Sequence, residues 1–242
     1  MKEQLEALGL EKSYHKRKVV DKISIYVKRG EIVGLLGSNG AGKTTTFSMI
    51  VGLIPQDKGE IILDGENVTR IPMYMRARKG MCLLPQESSA FRKLSVEDNL
   101  YSIIEMSNGG YSIMRSRVNQ ILKELGLKNL LKSKAYTLSG GERRRLEIAR
   151  ALITDPDYIL LDEPFTGIDP LAILDLQEII QALKEKGLGL LITDHSVRET
   201  LKITDRAYII EKGKILKEGT SQDIVISDEV RKSYLGENFE LD

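Results

Sequence analysis

Gly37-Ser38-Asn39-Gly40-Ala41-Gly42-Lys43-Thr44 decides the fold. The octet has the spacing G-x-x-x-x-G-K-[ST]. The largely apolar run Glu31–Leu36 leads into it, and the helix-like run Thr45–Val51 leaves it. That is the strand, loop and helix order in which a phosphate-binding loop works. Its glycines let the backbone curl until successive N–H groups point at one anion. The start of the following helix adds unpaired donors and a partial positive charge. From this position Lys43 reaches the β- and γ-phosphates of a nucleoside triphosphate, and the Thr44 hydroxyl can ligate Mg²⁺. Gly37 through Thr45 are therefore the expected nucleotide-binding residues.

The rest of the chain is compatible with one soluble unit around that loop. At 242 residues it has the length of one domain, or of one domain with an insertion. Apolar residues make up 41% and charged residues 29%, and 36 basic side chains balance 35 acidic ones. A net charge of +1 gives no electrostatic argument for a nucleic-acid partner. The single cysteine, Cys82, excludes an internal disulfide and sits in an apolar run, where a buried thiol is expected. The polar N-terminus lacks an apolar signal core, and no run reaches the ~18 apolar residues of a membrane span. The expected location is the cytoplasm.

Strands and helices alternate on either side of the octet. Two strands, about Glu6–Ser13 and Val19–Val27, are joined by the basic stretch Tyr14–Lys18, read as a solvated turn. Tyr14, at a strand end, has the flat ring on which an adenine can stack. Glu60–Leu63 reads as a strand before a tight turn at Asp64-Gly65, Met73–Arg78 as a short helix, and Met81–Pro85 as a buried strand ending at Gln86. Residues 87–135 read as a helical insertion, with Ser95 capping one helix, Asn108-Gly109-Gly110 breaking the chain and Gly126 stopping a second helix. Beyond it, Leu138-Ser139-Gly140-Gly141-Glu142 opens an amphipathic helix. Its Leu146, Ala149, Leu152 and Ile153 form the apolar face, and Arg143, Arg144 and Arg145 are expected to be mostly exposed. Tyr158–Leu161 and Leu188–Thr193 are continuous apolar strands suited to a parallel sheet. They end in Asp162-Glu163 and Asp194-His195. A helix starts at Pro170, a favoured first position, and Arg206–Glu211 with Lys214–Lys217 reads as a hairpin. The fold class is thus α/β, with residues 1–86 and 136–242 as the nucleotide-binding core.

Triphosphate hydrolysis needs charge neutralisation, a metal, an oriented water and exclusion of bulk solvent. Asp162, at the end of an apolar strand, is placed for the Mg²⁺ shell, and Glu163 is the candidate base. The Gln86 amide can ligate Mg²⁺ or orient water. The His195 imidazole can hydrogen-bond the γ-phosphate or the water attacking it.

In this order the motifs resemble the ATP-binding cassette (ABC) ATPases: aromatic Tyr14, the phosphate loop, Gln86, the Leu138–Glu142 signature, the acidic strand, Asp169 and His195. The likeness covers nearly the whole chain. It implies a P-loop NTPase core with a mainly parallel sheet, an N-terminal antiparallel β-subdomain and an inserted helical subdomain. It also implies a head-to-tail homodimer that sandwiches two ATP molecules. Ser139, Gly140, Gly141 and Glu142 of one copy would then complete the site held by Lys43 of the other, with Asp169 across the interface. Glu163 would be the catalytic carboxylate and His195 the γ-phosphate contact.

Within the family the chain most resembles ATPase subunits of lipopolysaccharide export. The stretches that carry this are Leu84–Asn99, Arg76-Ala77-Arg78, Ser139–Arg145, Thr193–Leu201 and Tyr234-Leu235-Gly236-Glu237. That likeness implies two integral inner-membrane partners, a peripheral position on the cytoplasmic face, and Phe91 and Arg92 in the groove that receives a partner helix. Ser38, Ser48, Thr166 and Ser196 depart from the family pattern without removing a catalytic group. Branched-chain amino-acid importer ATPases share the Tyr-Leu-Gly ending and are the alternative transport reading. Non-transport clamps of DNA repair or translation usually carry coiled-coil insertions or tandem cassettes, and this chain has neither.

Overall fold

The computed structural model describes residues 3–106 and 111–241, and the side chains of all of these but 106 and 111–115. Two sheets organise the chain. β1 (Gln4–Tyr14) and β2 (Arg17–Lys28) form the expected hairpin. Its turn residues His15 and Lys16 have φ of 47° and 66°, the left-handed pair that matches strand twist in a two-residue turn. β3 (Ile32–Gly37) and α1 (Lys43–Val51) flank the octet as predicted. β4 (Lys58–Leu63) and β5 (Glu66–Asn67) follow, turning at Asp64 and Gly65. They join the N-terminal hairpin in an antiparallel sheet of order β2-β1-β4-β5. The antiparallel layer therefore draws strands from both sides of the octet.

The second sheet carries the site. After α2 (Met73–Arg78) come β6 (Met81–Leu84), α3 (Val96–Met106) and α4 (Tyr111–Glu124). Then follow α5 (Gly140–Ile153), β7 (Tyr158–Asp162), α6 (Pro170–Glu185) and β8 (Gly189–Thr193). α7 (Val197–Ile203), β9 (Arg206–Glu211) and β10 (Lys214–Gly219) complete it. The strand order is β10-β9-β3-β8-β7-β6, all parallel except β10. Because β3 is central, the phosphate loop leaves the middle of the carboxyl edge. Gln86, Glu163 and His195 follow β6, β7 and β8 at that same edge, where ligands of open α/β sheets bind.

Side chains of β3 alternate between cores. Ile32 packs into the cluster with Leu146, Ile148 and Ile180, whereas Val33 and Leu35 pack with Phe47, Ile50 and Ile61. Full burial of each contributes ~1.5–3 kcal/mol. In the insertion, Leu100, Ile104, Val118, Ile121 and Leu122 are buried in the cluster that also holds Leu146 and Leu152 of α5. The Ser95 hydroxyl caps α3, accepting from the Asp98 N–H at 3.0 Å, and Gly126 ends α4 with φ of 65°. The expected break at Asn108-Gly109-Gly110 lies outside the described residues.

One exposure expectation fails. Arg144 is buried at 6%, and only Arg143 and Arg145 retain partial exposure. A buried partner three residues on, Glu147, makes this possible: the two side chains meet at 2.9 Å. After β10 the chain closes with α8 (Ser221–Val225), α9 (Asp228–Val230) and a π-helical turn over Arg231–Leu235. Tyr234, Leu235 and Phe239 pack there against Leu36, Leu201 and Ile209. Among the described residues no helix is long and apolar enough to cross a membrane.

Candidate nucleotide site

The phosphate loop is shaped by glycines that cannot be replaced. A Cβ on Gly37 would lie 2.1 Å from the Ile210 carbonyl oxygen, and one on Gly42 would lie 2.7 Å from that of Val19. Gly40, with φ of 75°, faces open space instead, so the loop is packed from below and open above. The opening is a cavity of about 300 Å³ lined by Arg17, Lys18, Ser38, Asn39, Gly40 and Lys212. The basic turn is solvated as expected, with Tyr14 through Lys18 all exposed, and its Arg17 and Lys18 also border the phosphate loop, with Lys18 Nζ held 2.9 Å from Asp21. Tyr14 is 44% exposed at the end of β1, with Lys12 Nζ 5.7 Å from its ring centroid.

Lys43 is 6% exposed, and its ammonium donates to the Gly37 and Ser38 carbonyls at 2.6 and 3.1 Å. Burial lowers its pKa, while the negative fields of Glu163 and Asp162 act the other way. Lys43 is thus a desolvated cation folded over its own loop at the start of α1. Thr44 is exposed and Thr45 half-buried at the start of α1. Asp162 ends β7 half-buried; desolvation first and the adjacent Glu163 second raise its pKa, with Arg144 opposing. A cation beside Asp162 would relieve that cost.

Glu163 is the focus of the site. Gln86 Nε2 donates to its Oε2 at 2.6 Å, the Thr166 hydroxyl donates to the same oxygen at 3.2 Å, and His195 Nε2 lies 2.7 Å from Oε1. Its backbone has φ of 47°, and its N–H donates to the Thr193 carbonyl at 2.7 Å. This left-handed turn, uncommon for a residue with a side chain, lets Glu163 leave the strand in a different direction from Asp162. Gln86, Glu163 and His195, named as candidates from the sequence, are thus within hydrogen-bonding distance around one carboxylate.

Two further contributors lie outside that reading. Asp194 is fully buried, accepting from the Phe165 N–H at 2.8 Å and the Ser196 N–H at 2.7 Å. It ties the loop after Glu163 to the loop carrying His195. An acid closing an apolar strand is its only sequence signal. Thr166, in sequence only a departure from the family pattern, supplies the hydroxyl on Glu163.

The signature segment stands apart from the loop. Ser139 caps α5: its hydroxyl accepts from the Glu142 N–H at 3.2 Å, and the Glu142 carboxylate accepts from the Ser139 N–H at 2.8 Å. Glu142 is thereby engaged within its own helix. Ser139 and Gly140 are exposed, but Gly141 is buried, and a Cβ there would lie 2.8 Å from that of Ala172. Asp169, exposed, caps α6 by accepting from the Ala172 N–H at 3.0 Å. Among the described residues no hydrogen bond or ion pair joins Ser139–Glu142 to the phosphate loop. The chain presents two separate helix starts, one at Lys43 and one at Gly140.

Comparison with known proteins agrees with this geometry. The sequence profile of the ABC transporter family matches residues 20–166. An uncharacterised ABC transporter ATP-binding protein of Rhizobium meliloti (strain 1021) is 54% identical over 98% of this chain and 88% of its own. The lipopolysaccharide export system ATP-binding protein LptB of Escherichia coli (strain K12) is 49% identical over 98% of this chain and 99% of its own. Among solved structures, the ADP conformation of MJ1267, an ATP-binding cassette of an ABC transporter, superposes with a TM-score of 0.88 at 28% identity, covering 98% of this chain and all of that one. With its phosphate loop on the central strand and its Gln, Glu and His on three neighbouring ones, the chain belongs to the ABC transporter family as an ATP-binding, ATP-hydrolysing subunit.

Proposed function

We propose that two copies of this chain close head to tail around two ATP molecules and drive lipopolysaccharide out of the inner membrane through a pair of integral membrane partners. The observation that carries the cargo is the likeness to LptB, which runs from end to end at 49% identity. The closure is supported by the two half-sites of one chain: a lysine-bearing loop on one side and an exposed Ser139-Gly140 helix start on the other. Each supplies anion donors that the other lacks.

In the closed site, Lys43 and the loop N–H groups hold the phosphates, and the Tyr14 ring stacks on adenine. Mg²⁺ would be held by Thr44 and Asp162, with the Gln86 amide oxygen beside it, and would supply charge neutralisation at the phosphates. Exposed Thr44 and desolvated Asp162 suit that ion. Glu163 orients and deprotonates the attacking water, and His195 keeps the carboxylate aimed while contacting the γ-phosphate. Asp169 faces the partner copy. The core of residues 1–86 and 136–242 works as one unit, with residues 87–135 as its helical subdomain.

The membrane partner docks at Phe91 and Arg92, which places the chain on the cytoplasmic face of the inner membrane. Phe91 is 46% exposed beside Leu94 and Tyr136, which are 36% and 55% exposed, and the Tyr136 N–H donates to the Arg92 carbonyl at 3.0 Å. Such an aromatic on a braced loop is the form that interface anchors take. The test is a tagged chain purified with its membrane subunits. Phe91→Ala should lose those subunits while the isolated chain keeps its ATPase activity, and lipopolysaccharide should stimulate the intact complex. Full co-purification of the variant removes the docking role, and absence of stimulation removes the cargo.

A further inference from the structure

Tyr14 is the last residue of β1, and Lys12 stands two positions before it. The Lys12 ammonium lies over the Tyr14 ring, 5.7 Å from its centroid. It is pinned there from below. Lys12 Nζ donates to the Pro55 carbonyl at 2.7 Å and to Asp57 Oδ1 at 3.0 Å, and the side chain is only 13% exposed.

Asp57 is fixed to the same strand twice more. Its Oδ2 accepts from the Ser13 N–H at 2.7 Å, and its own N–H donates to the Glu11 carbonyl at 2.8 Å. The Lys12 ammonium first and the Ser13 N–H second hold its carboxyl below the usual carboxylate range. Pro55 and Asp57 belong to the loop that leaves α1, the helix that opens at Lys43 and is capped by Gly52. The end of β1 is therefore tied to the far end of the phosphate-loop helix.

A lysine stem is flexible, and ordering it when a ligand arrives costs binding energy. Here the ordering is built into the fold. A cation over one face of an aromatic ring is attracted by the ring quadrupole, and it occupies that face. The ring is thereby held in one orientation, and the opposite face is left for a planar base.

We propose that Lys12 is a positioning residue for the nucleotide base: pinned by Pro55 and Asp57, it holds the Tyr14 ring in the orientation on which adenine stacks. The tie to the loop after α1 sets the spacing between that ring and the triphosphate. This role rests on the stacking of adenine on Tyr14; the pinning of Lys12 does not.

The test is calorimetry of AMP-PNP with Mg²⁺ on the full chain and its variants. Lys12→Met keeps an unbranched side chain and removes the cation. It should weaken binding about two- to fivefold, the weight of one cation over an aromatic face near the surface. Tyr14→Ala should weaken it at least about fivefold, since stacking carries the base. Combined with Tyr14→Ala, Lys12→Met should add less than about 1.5-fold, because the cation then has no ring to hold. Lys12→Arg, which keeps the charge and stacks on aromatic faces, should bind within about 1.5-fold of the parent. If Lys12→Met folds poorly, Asp57→Asn takes its place, releasing the ammonium while its amide oxygen still accepts from Ser13. Equal losses from Lys12→Met with and without the Tyr14 ring, or no loss with the ring present, overturn the proposal. So does a Lys12→Arg chain as weak as Lys12→Met. Unchanged affinity in Tyr14→Ala removes the stacking itself, and the role of Lys12 with it.

Discussion

His195 Nε2 lies 2.7 Å from Glu163 Oε1, with the other carboxylate oxygen held by Gln86 and Thr166. Glu163 is thus gripped from both sides. The strands β6, β7 and β8 deliver these three side chains to one point because their carboxyl ends lie side by side in the sheet.

That grip predicts how variants should separate. Glu163→Gln removes the base but keeps the hydrogen-bonding shape. Turnover should fall by at least ~100-fold while ATP binding persists, since general-base catalysis contributes typically 10²–10⁴-fold. Thr166→Ala, which loses one 3.2 Å bond, should lower kcat by less than about tenfold with KM unchanged. Steady-state kinetics on both variants is the check. Unchanged turnover in Glu163→Gln would remove its assigned role.

Glycine geometry yields a second contrast. Gly37→Ala drives a methyl into the Ile210 carbonyl and should destabilise the chain by more than about 3 kcal/mol in urea unfolding. Gly40→Ala meets nothing and suffers only the strain of its left-handed backbone, about 1–2 kcal/mol. Equal losses would mean that the loop is not packed against β9.

Much of this is legible in the sequence, for physical reasons. The octet, the apolar strands and the acid or amide closing each of them are local patterns, and the sheet has only to align their ends. Arg144 defies the local pattern because its burial depends on Glu147, a partner whose usefulness emerges only when α5 lies against Pro85. Asp194 is hard to read because its role is to join two loops from different strands. The contribution of β4 and β5 to the antiparallel layer is likewise a matter of long-range pairing.

Cys82 gives a pH-dependent prediction. Cys82, expected to be buried, is partly buried against the core, and the desolvation pushes its thiol up to about 11. The folded chain therefore binds that proton more tightly than the unfolded chain does. Near pH 8 only about one native molecule in a thousand carries the reactive thiolate. A thiol reagent at pH 8 should label the native chain slowly and the urea-unfolded chain fast. Rapid labelling of the native chain would show Cys82 to be accessible.

The most direct test of the account is the mass of the Glu163→Gln chain by light scattering, with and without ATP and Mg²⁺. Closure around nucleotide predicts one chain mass without ATP and two with it, and return to one chain mass when Ser139→Arg is added. A single chain mass with ATP demonstrably bound, or a doubled mass indifferent to Ser139→Arg, would contradict a site completed by a second copy.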